Sequence, residues 1–143
     1  MKRDWDLIRD QLLAIEQDED FMKSPILGGS PDAPKWADDQ AEAEYVTALT
    51  EHRKTQERVF GHLEMLVDNG YIDGLKIRRG SGGFGCTLMH PRLTMAGHDL
   101  LDTMRSEPLW DKIKSTAKTK SIELTFDTIK GLAGFALKSL LGG

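Results

Sequence analysis

One stretch decides the fold of this 143-residue chain: Leu93-Thr94-Met95-Ala96-Gly97-His98-Asp99-Leu100-Leu101-Asp102. Thr94 is a good N-cap residue, and the apolar residues behind it repeat with helical spacing, so a helix is predicted from here to about residues 106–108. Pro108 then begins a further short helix that contains the block Trp110-Asp111-Lys112-Ile113-Lys114. Two neighbouring helices therefore follow Leu93.

Two short β-like runs lie directly ahead of this stretch. Residues 75–79 alternate between apolar and polar side chains, and residues 86–89 return as a second strand that runs on towards Leu93. The glycine-rich residues 80–85 form the turn between them. A β-hairpin is therefore predicted immediately before the two helices.

Helical patterns precede the hairpin. Asp4 to about Gln17 is predicted to be a largely buried helix, and residues 18–36, which hold an acidic run, prolines and glycines, are predicted to be a loop. Residues 35–69 are helical up to the stop signal Asn69-Gly70. One helix or two satisfies this pattern, and we favour two, with a break near residues 50–55.

Helices, a hairpin and further helices in this order are typical of a winged helix-turn-helix domain. We therefore predict an α+β, mostly helical fold with a two-stranded wing and an extra C-terminal amphipathic helix at residues 125–141. Residues 1–115 are predicted to form the winged-helix domain, with 18–36 as a loop insertion. Residues 116–143 are predicted to form a linker and the last helix.

Composition indicates a globular protein of the cytoplasm. Apolar residues make up 39% of the chain and charged residues 29%, which is ordinary for a soluble domain. No apolar run approaches the ~20 residues that span a bilayer, and the N-terminus lacks the apolar segment of a signal peptide. The single cysteine, Cys86, excludes an intramolecular disulfide.

The charge of the chain is unevenly distributed. The net charge is −4, yet residues 51–92 hold seven Lys or Arg against five acids and are +2, which leaves −6 for the remainder. Such asymmetry permits a local anionic partner while the rest of the surface repels one.

Five residues of this segment are predicted to contact DNA. Lys54, Arg58 and His62 recur at every fourth position, which places them on one helical stripe facing away from the apolar side. Arg78 and Arg79 lie on the hairpin, where a wing touches the DNA backbone. Cations in both places would neutralise phosphates, and an ordinary solvated helix face is the alternative. Base-reading Asn and Gln are sparse on the stripe, so sequence-specific readout is not indicated.

No residue pattern indicates catalysis, a metal or a cofactor. Gly80, Gly82 and Gly85 match the spacing of a dinucleotide-binding loop, but a strand follows them where that site needs a helix N-terminus. Cys86 has no recognisable base in the sequence. We therefore expect a binding protein and not an enzyme. The histidines have spacings that match no standard pair of metal ligands: His52, His62, His90 and His98.

Two aromatic residues are predicted to contact a partner. Phe84 lies among the glycines of the wing tip, and Phe135 lies on the polar side of the C-terminal helix. The apolar side of that helix docks either on the body of the same chain or on a second copy in a homodimer, and both remain open. Few cations accompany it, which disfavours a membrane surface. That apolar side comprises Phe126, Ile129, Leu132, Ala133, Ala136, Leu137 and Leu140.

Several blocks of the sequence resemble domain-of-unknown-function family 2513. Residues 1–16 are similar to the opening of that family, and residues 93–102 with 110–114 are similar to its second signature. Between them, residues 61–66 and 69–72 resemble its central helix and the step into the wing. The resemblance covers most of the chain. It implies a small protein of phages, prophages and their bacterial hosts with a winged-helix fold, and it implies no activity or catalytic residue.

These inferences lead to two hypotheses. The first is a phage or prophage winged-helix protein that acts in regulation and contacts DNA. The alternative is a winged-helix module that binds a protein, for example a host regulator or a defence component. The acidic balance of the chain and Phe84 favour the alternative.

Overall fold

The computed structural model describes residues 2–17, 32–35, 38–80 and 83–142, with the side chains of residues 83–89 outside this description. Within these ranges the chain is α+β and mostly helical, with five helices and one two-stranded antiparallel sheet. The elements are α1 (Trp5–Glu16), α2 (Asp39–Asp68), β1 (Ile72–Gly80), β2 (Gly83–Leu93), α3 (Met95–Met104), α4 (Glu107–Thr119) and α5 (Phe126–Leu140).

Short polar side chains fix the start of every described helix. The Thr94 hydroxyl accepts a hydrogen bond from the Gly97 N–H at 3.1 Å, which confirms the predicted start of α3. Thr125 and Thr128 form a capping box at the start of α5, where a helix was also predicted. Such caps satisfy backbone N–H groups that have no partner inside the helix. The remaining caps are Asp4, Asp38 and Ser106.

α2 is one continuous helix, so the expectation of a break near residues 50–55 is wrong. That expectation rested on the preference of a winged-helix fold for two helices here. The threonines that bound the expected break donate their hydroxyls to carbonyl oxygens one turn back, Thr50 to Val46 at 2.8 Å and Thr55 to Glu51 at 3.1 Å. These bonds compete with the helix without interrupting it, and the segment contains neither proline nor glycine before Gly61.

The hairpin is longer than the sequence predicted. β1 and β2 pair from Ile72 opposite Leu93 to Gly80 opposite Gly83, so the strands extend into the glycines assigned to the turn. The register shifts between Asp73 and Leu75. Gly74 lies there with φ of +78°, a conformation that glycine adopts without steric cost and that suits a bulge.

α5 docks on the body of the same chain. It packs against α4 and α3, and its Ile129 and Ala136 are fully buried. Leu137 and Leu140, which the sequence placed on the same apolar side, are 49% and 47% exposed. The linker before α5 begins at residue 120 and not at 116, because α4 continues to Thr119. The rest of the core comes from α1, the last turns of α2, the hairpin base, α3 and α4.

A carboxylate holds the start of α1 against α4. Asp6 Oδ1 accepts hydrogen bonds from Trp110 Nε1 and Lys114 Nζ, both at 2.9 Å. Burial raises the pKa of Asp6, but these two donors outweigh burial and leave the pKa below its ordinary value. The ionised form is therefore the one that the fold stabilises.

The turn before β1 lies directly against the start of α3. The backbone N–H of Thr94 donates to the carbonyl oxygen of Tyr71 at 3.1 Å, and the Thr94 hydroxyl donates to the carbonyl oxygen of Gly70. A Cβ at Gly97 would lie 2.1 Å from that Tyr71 oxygen. Only glycine therefore permits this contact.

Gly97→Ala is expected to destabilise the chain by about 3 kcal/mol, because the added methyl group overlaps a backbone oxygen and cannot move aside. Gly131→Ala is the matched control. It adds the same methyl group to a helix where nothing lies within 4 Å, and it should stabilise the chain by about 0.5–1 kcal/mol. Urea unfolding measures both changes, and equal stability of Gly97→Ala and the wild type would contradict the close approach.

Asp6→Asn is expected to make the free energy of unfolding less sensitive to acid. Because the folded-state pKa of Asp6 lies below the ordinary value of 3.8, its contribution is complete above that pH and is lost as the pH falls through the folded-state pKa. Denaturant unfolding at a series of pH values measures the slope. Asp99→Asn, at an exposed carboxylate without an ion pair among the described residues, is the matched control for the substitution itself. A slope of stability against pH that is the same in Asp6→Asn and the wild type would refute the lowered folded-state pKa of Asp6.

Candidate functional site

Two of the three cations predicted on the α2 stripe are exposed. Lys54 lies 3.4 Å from Glu51 one turn away, and its side chain is 70% exposed. Arg58 pairs with Asp4, the residue before α1. The stripe therefore presents two cations, one of which is held by a carboxylate distant in sequence.

His62 is fully buried, so its prediction as an exposed DNA contact is wrong. At 3.6 residues per turn, a position eight residues after Lys54 is rotated by about 80° and reaches the core side of α2. The imidazole Nε2 accepts the backbone N–H of Asp4 at 2.8 Å, and Nδ1 lies 2.6 Å from the carbonyl oxygen of Arg58. A neutral ring with its proton on Nδ1 satisfies both contacts.

Asp4 connects these groups. Its carboxylate accepts the N–H of Leu7 at 3.0 Å and also pairs with Arg58, while its backbone N–H donates to His62. Burial raises the pKa of Asp4, but the Leu7 amide and the Arg58 guanidinium outweigh it and hold the pKa below its ordinary value. One residue thus caps α1, orients the Arg58 side chain and engages the buried imidazole.

On the hairpin, Arg79 contacts α2. Its guanidinium donates two hydrogen bonds to the Glu64 carboxylate at 3.0 and 3.1 Å. This contact raises the pKa of Arg79, and the charge of Glu57 adds to it. Arg79 therefore joins β1 to the C-terminal half of α2. Arg78 is exposed and has no ion pair among the described residues.

Glu57 also lines a cleft of about 760 Å³ between the start of α1, α2, α4 and the linker before α5. Lys54 and Arg58 were predicted from the sequence as part of a binding surface, whereas Lys2, Arg3 and Lys114 were not. No sequence pattern links these three residues, because only the packing of α1 and α4 brings them together. We call this cleft the cationic cleft. Its cations are Lys2, Arg3, Lys54, Arg58 and Lys114.

Of the two aromatic residues predicted to contact a partner, only Phe135 has a side chain in the described part of the chain. Phe135 is 50% exposed, and Lys120 Nζ lies 4.6 Å from the centre of its ring, a cation–π contact. The backbone of Phe84 lies in β2, and its side chain is outside the described part of the chain. Phe135 is therefore accessible to a partner.

The described residues show neither a metal site nor a membrane span. They contain no group of three or more His, Cys, Asp or Glu placed to hold a metal ion. No helix among them is both long enough and apolar enough to cross a bilayer.

His62→Leu is expected to destabilise the chain by about 1–3 kcal/mol, because it leaves the part-buried N–H of Asp4 without an acceptor. His52→Leu is the control, since His52 lies half-buried on the same helix without a hydrogen bond to its ring among the described residues. Thermal and urea unfolding compare the two variants. If both substitutions changed the free energy of unfolding equally, the hydrogen bond between His62 and Asp4 would make no measurable contribution to stability.

The chain is similar to known proteins along almost its whole length. Residues 2–123 match the model of one protein family, described as hypothetical protein (DUF2513). An uncharacterised protein of Haemophilus influenzae (strain ATCC 51907 / DSM 11121 / KW20 / Rd) is 30% identical over 141 residues, which cover 99% of each chain. No solved structure matches the chain. The resemblance drawn from the sequence blocks is thereby confirmed, and the chain belongs to the DUF2513 family.

Proposed function

We propose that this protein is a winged-helix regulator that binds DNA, with the β1–β2 hairpin as its wing and α2 as the helix beside it. The regulatory setting in phages or prophages belongs to the same proposal and rests on the family resemblance. The site is one of binding and not of catalysis.

The observation that supports this proposal is the contact between the hairpin and α2. Arg79 reaches Glu64 of α2 and lies within the electrostatic influence of Glu57. Side chains alternate along a strand, so Lys76 and Arg78 are exposed on the opposite face of β1 from Arg79, while Lys54 is exposed on α2. Cations on two elements can contact several phosphates of a DNA backbone, whereas a single cation can contact only one or two.

The ion pairs and the exposure of each cation suggest which ones bind phosphate. Arg79 is engaged by a bidentate carboxylate and serves to fix the wing. Arg58 is oriented by Asp4. Lys54, Lys76 and Arg78 are the exposed cations best able to exchange solvent ions for phosphates. Binding through such contacts depends on charge and groove shape, so we expect affinity for duplex DNA with little sequence preference.

A second candidate is binding of a protein partner. The end of α5 exposes Leu137, Leu140 and Leu141, at 49%, 47% and 77% exposure. They recur at i, i+3 and i+4 and therefore share one side of the helix end, whereas the exposed Phe135 lies on the other side of α5. An apolar side of this kind suits a protein and not a phosphate backbone.

Fluorescence anisotropy with a labelled random duplex, titrated with salt, tests DNA binding. The logarithm of the binding constant should fall linearly with the logarithm of salt concentration. Lys54→Ala and Arg78→Ala should each weaken binding and reduce the slope by about one. Lys118→Ala, at an exposed lysine of α4, is the matched control and should change neither. Absence of binding at low salt, or equal slopes for all variants, would exclude this function and favour the protein-binding alternative.

A further inference from the structure

We propose that the cationic cleft binds the phosphate group of a small ligand that also carries a ring, such as a phosphorylated nucleoside. This inference does not depend on DNA binding, because Lys2, Arg3 and Lys114 are not among the proposed DNA contacts. Four separate segments of the chain form the cleft walls, and its volume of about 760 Å³ lies within the range of roughly 300–1,000 Å³ that small-molecule sites occupy.

The charge of the cleft matches a phosphate monoester. The residues that line it comprise five cations and three carboxylates, those of Asp4, Asp6 and Glu57, which gives the lining a net charge of +2. Three exposed carboxylates outside the lining, those of Glu51, Asp111 and Glu123, also pair with cations of the cleft at 3.4–3.7 Å, and exposed pairs of this kind are weak enough for a phosphate to displace. A phosphate monoester carries about −1.5 to −2 at neutral pH. The start of α1 also lies at the cleft, and the positive end of its helix dipole adds to the same potential.

The carboxylates orient two of the cations without exhausting their donors. Asp4 engages Arg58, whose guanidinium has five N–H donors, and Asp6 engages Lys114, whose ammonium has three. Both cations therefore retain donors for a phosphate oxygen. Holding these side chains in place beforehand lowers the entropy that a ligand would otherwise have to offset on binding.

The cleft also has an apolar part. Trp5 and Leu124 line it, and the indole of Trp5 is fixed by the ring of Phe126, whose centre lies 5.0 Å away at an interplanar angle of 85°. The guanidinium of Arg3 lies 5.5 Å from the centre of the Trp5 ring. Trp5 is only 8% exposed and Leu124 is half-buried, so the apolar wall is small. Inorganic phosphate would leave this wall uncovered, which is why the ligand is expected to have a ring as well as a phosphate.

Isothermal titration calorimetry on the full chain tests the proposal with four probes: AMP, ribose 5-phosphate, adenosine and inorganic phosphate. AMP should bind most tightly, the two other phosphates more weakly, and adenosine not measurably. Equal binding of AMP and adenosine would show that the phosphate is not recognised and would overturn the proposal. The absence of binding by every phosphorylated probe at millimolar concentration would also overturn it.

Variants locate the site. Lys114→Gln and Lys2→Gln should each weaken AMP binding about tenfold or more, whereas Lys118→Gln on the exposed side of α4 should leave it unchanged. Arg78→Ala should leave AMP binding intact even where it weakens DNA binding, so failure of one function is distinguishable from failure of the other. Unchanged AMP affinity in both Lys114→Gln and Lys2→Gln would place the ligand elsewhere and refute the assignment.

Discussion

The contact between Asp4 and the middle of α2 is the constraint on which both candidate surfaces depend. Asp4 uses its backbone N–H to engage the buried His62 ring and its carboxylate to engage Arg58. An exposed ion pair of this type adds little to stability, but a hydrogen bond to a buried imidazole is costly to leave unmade. The buried bond thus fixes the position, and the ion pair follows from it. Without that position, the N-terminal segment would not bring its cations to α2.

Local signals made much of the fold predictable. Thr94 predicted the start of α3, Asn69-Gly70 the end of α2, and the alternation at residues 75–79 the first strand, because each depends on neighbours within a few residues. The mostly helical α+β class and the C-terminal helix followed from the same kind of pattern. Continuity of α2 was harder to predict, since threonines disfavour a helix on average and yet did not interrupt this one.

The candidate site was less predictable because its contacts join residues far apart in the chain. His62 was assigned to the wrong side of α2 because a four-residue repeat drifts round a helix of 3.6 residues per turn. Its partner Asp4 lies 58 positions away, and no pattern along the sequence pairs the two. Lys114 likewise meets Asp6 at the cleft across 108 positions, because the packing of α4 brings it there. Short-range periodicity indicates which charged residues share one face of a helix or strand, whereas packing decides which charges from distant segments lie together.

The uneven burial of α2 has a consequence for the helix itself. Its buried residues all lie between Val59 and Leu66, whereas none of the first twenty residues from Asp39 is buried. Those first twenty residues extend over about 30 Å at ~1.5 Å per residue. Helices without a packed face are marginal in water. The last turns of α2 are therefore set by packing, while the length of the helix beyond them is set by the balance between helix and coil. Lys54 and Arg58 lie just before the junction, where the exposed part of the helix meets the packed part.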